Sequence, residues 1–393
     1  MSNDDEGNGI DMANGMLQGQ LDSRFEPLRD LIEDNLHSGA ECGLSLLVDV
    51  DGQAVVDVYG GFADQARIRP WERDTIVNVW STTKTVTSLA VLMLADGGQV
   101  DLDAPVARYW PEFAANGKDG ILVRHVMSHT SGLSGWDGPF ALADLYDLER
   151  STAALAAQAP WWEPGTASGY HAMTFGHLLG EIVRRVSGMR LTEFVSDKIA
   201  GPLGADFQIG ARPADWDRCA EIIPPPQRPL DMDGADPDSV LMKSLRGPAL
   251  DPLAPNTPQW RQAEIGAVNG HGNARSVGRV LSVLALGGSA DGARLLSPET
   301  VEHVFREQAH GTDLYLGVPL RWGIGYALPD PAGVPFVPEG KTCFWGGWGG
   351  SVIIMDLDRR MTISYMMNKM QAGTIGSDVS AAYCTAIYKL LDQ

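Results

Sequence analysis

Hydrophobic positions along this chain follow two periods, and their distribution outlines the architecture. Residues 21–36 place Phe25, Leu28, Leu31, Ile32 and Leu36 on one side of a helix. Strict strand character follows in 43–50 and 53–59, and the Asp51-Gly52 pair between them predicts a β-hairpin with a type I′ turn. The run from Thr85 to Ala95 is apolar nearly all round and stops at Gly97-Gly98, which predicts a buried helix beginning near Ser81. Beyond residue 101 the texture changes. Helical patches at 141–149, 152–158, 173–186 and 191–199 alternate with Pro- and Gly-rich loops, and 222–258 reads as a long surface excursion. After a further helix at 276–286, strand patterns return at 321–328, then at 349–355 and 361–367 around a turn at 356–360. A helix at 377–391 closes the chain.

Strands thus occupy both ends and helices the middle. This predicts an α+β fold in which the two ends form one antiparallel sheet, flanked by the terminal helices, with an inserted helical lobe. The expected division is a disordered tail at 1–20, an α/β lobe from 21–100 and 270–393, and a mostly helical lobe at 101–269. A cleft between lobes is the expected place for a site.

Composition narrows the function. The chain has 393 residues, 44% hydrophobic and 20% charged, and 50 acidic against 30 basic side chains give a net charge of −20. That balance argues against nucleic-acid binding and against attraction to anionic membranes. Four scattered cysteines (Cys42, Cys219, Cys343, Cys384) form no CxxC pair and no His/Cys cluster. Neither a disulfide framework, a metal site nor a cofactor is expected, and free thiols fit a cytoplasmic protein. Residues 1–20 lack the basic and apolar regions of a signal peptide, and no apolar stretch is long enough to cross a membrane.

The candidate chemistry starts at Ser81-Thr82-Thr83-Lys84, at the head of the buried helix. At 100° per residue the serine and lysine lie about 60° apart, on one face of the first turn. Burial and the positive end of the helix dipole both lower a lysine pKa. A lysine so placed is a base for a neighbouring serine hydroxyl, which is a weak nucleophile without one.

Further segments follow in order: His129-Thr130-Ser131-Gly132-Leu133, Pro164-Gly165-Thr166 leading to Tyr170, Gly270-His271-Gly272, and Trp345-Gly346-Gly347-Trp348-Gly349-Gly350. Across about residues 25–390 the chain resembles the serine β-lactamase and penicillin-binding-protein superfamily, and within it the family VIII carboxylesterases. The resemblance implies a β-lactamase-like fold and an acyl-enzyme on Ser81, with Lys84 and Tyr170 jointly as bases. It implies an oxyanion hole from the backbone N–H groups of Ser81 and Trp348. It also makes His129 a loop-organising residue. Trp345, Gly346 and Gly347 stand where β-lactamases carry Lys-Thr-Gly, while Lys341-Thr342-Cys343 is the alternative alignment. His171 and Trp136 are further candidates for substrate contact, and His271 is expected to shape a cleft loop.

Two departures bear on substrate. Tyr170-His171-Ala172 lacks the asparagine of Tyr-x-Asn, and Trp345 replaces a lysine, so a carboxylate-holding cation is missing. Both favour a neutral, apolar ester over a β-lactam. The leading expectation is a serine carboxylesterase for short or medium acyl esters. An amidase or peptidase, a weak β-lactamase, an acyltransferase on the same site, or a catalytically silent binding protein are the alternatives. Oligomeric state is left open by these features.

Overall fold

The computed structural model describes residues 16–226, 234 and 236–393. Its centre is a nine-stranded antiparallel sheet built from both ends of the chain. The strands are β1 (Gln18–Leu21), β2 (Gly43–Val50), β3 (Gln53–Gly61), β4 (Ala309–Thr312), β5 (Pro319–Trp322), β6 (Ala327–Leu328), β7 (Thr342–Gly346), β8 (Val352–Asp356) and β9 (Met361–Met367). Their spatial order is β1-β3-β2-β9-β8-β7-β6-β5-β4. The β2–β3 hairpin turns through Asp51 (φ 54°) and Gly52 (φ 79°), the two positive φ values a type I′ turn requires. The β9–β2 pairing joins the ends, with Tyr365 opposite Leu46.

Neighbouring residues of β9 point to opposite faces, and helices cover both. Tyr365 meets Tyr383 (ring centroids 5.3 Å apart) of α6 (Asp378–Leu391), which packs against α1 (Glu26–Ser38). On the other face α5 (Ala274–Ala285) lies across β2, β8 and β9. The apolar run becomes α2 (Thr83–Asp96), buried on nearly every side. It packs against α4 (Thr174–Ser187) and touches α5. A small sheet of Val77–Asn78, Gly270–Gly272 and Gln208–Ile209 ties down the chain just before that helix.

Several expectations need correction. Residues 18–20, expected within a disordered tail, belong to a strand, because Gln18–Leu21 pairs with β3; residues 1–15 of that expected tail lie outside those described. The single strand expected at 321–328 is two strands folded back through a turn, in which Gly323 N–H donates to the Tyr326 carbonyl (3.0 Å). The strand expected from 349 starts at 352, since residues 349–351 turn. The patch at 141–149 is divided by Asp147, whose side chain accepts from the Arg150 N–H and starts α3 (Leu148–Ala157). Of the excursion at 222–258, residues 227–233 and 235 lie outside those described, and the rest carries short helices at Val240–Leu245 and Ala254–Asn256. β4 and β7 were not predicted. Ala309–Thr312 is a polar edge strand, and Thr342–Gly346 is buried throughout, so neither shows an alternating pattern.

One buried acid lies beneath this sheet. Glu41 is 1% exposed, and Tyr365 donates its hydroxyl to one carboxyl oxygen while the other has no hydrogen-bond partner among the described residues. Burial pushes the Glu41 carboxyl up to about 8, against smaller opposing effects of Tyr365, Lys369 and Tyr383. A raised acid pKa means that the folded state holds its proton more tightly than the unfolded chain. Its stabilising contribution is therefore complete below the ordinary carboxylate range and is lost as pH rises through about 8. Thermal melts from pH 5 to 9 are expected to show stability falling with pH, and Glu41→Gln to flatten that slope.

Candidate active site

Ser81 lies in the turn leading into α2, 6% exposed. The turn begins unusually. Trp80 is buried in the left-handed region at φ 50°, a costly conformation for a bulky residue, and its indole N–H has no partner among the described residues. Its ring is wedged edge-on between Trp260 (5.6 Å) and Trp348 (5.1 Å), which holds the strained residue in place.

Lys84 is 2% exposed, and its amine makes three contacts. Nζ is 3.2 Å from Ser81 Oγ, 2.8 Å from the Ala172 carbonyl and 2.9 Å from the Ala267 carbonyl. Burial holds the Lys84 pKa well below its ordinary value. A neutral amine has two N–H bonds and one lone pair. With the two carbonyls taking the N–H bonds, the lone pair is left facing the serine hydroxyl. The Ala267 carbonyl is supplied by a loop folded around the buried Asn269. That side chain donates to the Trp260 (3.1 Å) and Ala263 (2.7 Å) carbonyls and accepts from the Ile265 N–H (3.0 Å). His271, 1% exposed, turns back onto the Asn269 carbonyl at 2.8 Å.

Tyr170 comes from the helical region, 1% exposed, with its ring 4.8 Å from Lys84 Nζ. The Trp345 indole N–H donates to its hydroxyl (3.1 Å). Burial pushes the phenol well above its ordinary range, and the neighbouring Ser81 and Trp345 side chains pull it back in part. The two ionisable partners of Ser81 are thus shifted in opposite directions.

Residues 346–351 complete the constellation. A Cβ on Gly347 would lie 2.6 Å from the Val79 carbonyl oxygen and 3.0 Å from the Trp80 Cβ, so only glycine admits this approach. Ser351 fastens it: its Oγ donates to the Val79 carbonyl (2.9 Å) and lies 3.0 Å from Thr82 Oγ1. Neither the Ser81 nor the Trp348 backbone N–H donates to a carbonyl or side chain among the described residues.

Ser81, Lys84, Tyr170, Trp345, Gly346, Gly347 and Trp348 are therefore drawn together. His171 and Trp136 are not. The His171 ring is fully buried between Ser131 Oγ (2.6 Å) and the Gly169 carbonyl (2.7 Å), and burial lowers its pKa to about 4. Trp136 stacks on Phe140 (4.7 Å) and donates to the Ser151 carbonyl (3.0 Å). His129 braces the site from behind: its ring packs on Tyr170 (4.9 Å) and Trp322 (4.3 Å), and its Nδ1 accepts from the His171 N–H (3.0 Å). Lys341, the alternative third-motif cation, pairs with Glu302 at the surface. Trp80, Ser351 and the Ala172 and Ala267 carbonyls went unrecognised in the sequence. The carbonyls leave no trace in residue identity, whereas Asn269 offered one in its buried loop.

A serine, a buried amine and a buried phenol in contact define the serine acyl-transfer class of site. The chain belongs to the Beta-lactamase family, whose model matches residues 28–381. It is 35% identical to the Esterase/beta-lactamase LipL of Mycobacterium tuberculosis, over 89% of this chain and 82% of that one. It is 28% identical to Esterase EstB of Burkholderia gladioli, over 88% and 90% respectively. A crystal structure of a family VIII carboxylesterase superposes with a TM-score of 0.88 at 37% identity, covering 95% of this chain and 99% of that one.

Gly347→Ala is expected to slow covalent labelling of Ser81 by a fluorophosphonate at least tenfold, because the new Cβ forces the 346–351 turn away from Val79. A melting temperature within a few degrees of wild type should accompany the loss.

Proposed function

We propose that this protein is a serine carboxylesterase that cleaves short or medium acyl esters through an acyl-enzyme on Ser81. The observation that carries the reading is the Lys84 amine, whose third direction faces Ser81 Oγ at 3.2 Å while two carbonyls occupy the others. The opposite pKa shifts assign an order to the bases. Lys84, kept neutral by burial, takes the Ser81 proton. Tyr170, kept protonated by burial, is the donor.

In acylation Ser81 Oγ forms a bond to the ester carbonyl carbon as its proton passes to Lys84. The carbonyl oxygen becomes an oxyanion between the Ser81 and Trp348 N–H groups, each worth about 3 kcal/mol in the transition state. The carbon–alkoxide bond then breaks. The departing oxygen takes the Tyr170 proton, and Lys84 returns its own to the phenol. Water attacks the acyl-enzyme by the same sequence in reverse and frees the carboxylic acid.

The absence of a third-motif cation, with Lys341 turned to Glu302, favours neutral esters over β-lactams. Ala172 supports the same choice, since its contribution is a main-chain carbonyl to Lys84. The half-buried Trp348 ring walls the oxyanion side and suits a short or medium acyl group. The cysteines are all free and buried, which fits a cytoplasmic setting. Among the described residues no helix is long and apolar enough to cross a membrane. The division into lobes at 21–100 with 270–393, and 101–269, belongs to the same reading, with the substrate entering between them.

Hydrolysis of p-nitrophenyl acetate and butyrate, measured beside nitrocefin and D-amino-acid amides, tests the proposal. Esters should be strongly preferred, and Ser81→Ala should abolish both turnover and fluorophosphonate labelling. An undiminished adduct on Ser81→Ala would exclude the assignment. Lys84→Ala is expected to lose about 10²–10⁴-fold in kcat with its fold retained by circular dichroism. The wild-type profile of kcat/KM should climb as Lys84 loses its proton and level off well below pH 10.5. A limb still rising at pH 10 would mean an unperturbed lysine.

A further inference from the structure

The loop joining β4 to β5 reaches across to the segment that carries Tyr170. At its base Asp313 is completely buried. Its Oδ1 accepts three backbone N–H groups, those of Tyr315, Leu316 and Tyr170, each at 3.0 Å. The first two shape the loop locally, as aspartate does in many turns. The third spans 143 residues of sequence to the catalytic segment. Beside it the Leu314 N–H donates to the Ser168 carbonyl (2.8 Å), so two hydrogen bonds fasten this loop to residues 168–170.

The Tyr170 ring is already confined. Trp322 stacks parallel to it (6.3 Å, 9°), Trp345 and Tyr315 flank it at 5.1 and 5.9 Å, and the Trp345 N–H fixes its hydroxyl. These contacts restrict rotation of the ring. The backbone that sets the distance of the phenol from Ser81 is held by Asp313. Proton transfer tolerates little error in that distance, and a displacement of about 1 Å can cost on the order of 10²-fold in rate. The second carboxyl oxygen of Asp313 is buried without a partner among the described residues. An asparagine would satisfy the same three N–H groups without a charge.

We propose that Asp313 is the positioning residue for Tyr170, a latch that clamps the catalytic phenol's backbone to the β4–β5 loop; this rests on the reading of Tyr170 as the proton donor. Kinetics on p-nitrophenyl butyrate with Tyr170→Phe, Asp313→Ala, Asp313→Asn and the double variant Tyr170→Phe/Asp313→Ala test it, with melting temperatures as the fold control. Tyr170→Phe should lose at least 10²-fold in kcat. Asp313→Ala should lose at least 30-fold in kcat with KM within threefold, and should cost nothing further in the Tyr170→Phe background. Asp313→Asn, which keeps the acceptor, should stay within fivefold of wild type. Losses that multiply in the double variant, or an Asp313→Ala kcat within threefold of wild type, would overturn the latch while leaving Tyr170 catalytic. An active Tyr170→Phe would instead overturn the underlying reading. If Asp313→Ala does not fold, Asp313→Asn decides: a folded variant slowed more than 30-fold refutes the hydrogen-bonded latch, and activity within fivefold upholds it.

Discussion

The site depends on one buried amine. An ammonium group at the position of Lys84, with no carboxylate beside it, would be held in a poorly solvated pocket. A neutral amine fits there, and two main-chain carbonyls and a serine hydroxyl satisfy it. Those three groups come from three separate parts of the chain: the start of α2, the segment after Tyr170 and the loop around Asn269. The surrounding fold brings them together and excludes water. α2 is buried on almost every side, and the enclosure of its first-turn lysine lowers that amine's pKa.

Tyr170 is the complement of that arrangement. The same burial that lowers the lysine pKa raises that of the phenol, so one buried pocket shifts the two groups in opposite directions. The site also concentrates local conflict. Trp80 has a left-handed backbone and an unpartnered indole N–H immediately before the nucleophile, and the aromatic packing around it offsets both. Sites that must hold reactive geometry commonly keep such costs.

Much of this was legible in the sequence, for identifiable reasons. The Asp51-Gly52 hairpin, the buried helix after Ser81 and the closing helix each follow from a local pattern, and each lies within a few residues of its predicted limits. Ser81 and Lys84 could be paired because a helical turn fixes their separation. Tyr170 and the 345–350 segment required the family resemblance, since nothing local links them to Ser81. What remained hidden depended on tertiary contact. β7 is buried along its whole length and shows no alternation. His171, next to Tyr170, looked fit to meet substrate, yet its ring turns inward to Ser131. Asp313 sits in an ordinary-looking turn, and its bond to Tyr170 is invisible without the fold.

The Ser351 hydroxyl has a mechanical consequence. By bonding the Val79 carbonyl and lying against Thr82, it makes the nucleophile's turn and the glycine-rich turn a single rigid block, although they stand far apart in sequence. Tyr170 belongs to a different block, joined to the first through Lys84, Trp345 and the β4–β5 loop. A change that loosens the Ser81 turn would therefore be transmitted directly to the 346–351 turn through Ser351, and to the Tyr170 segment only through those other contacts.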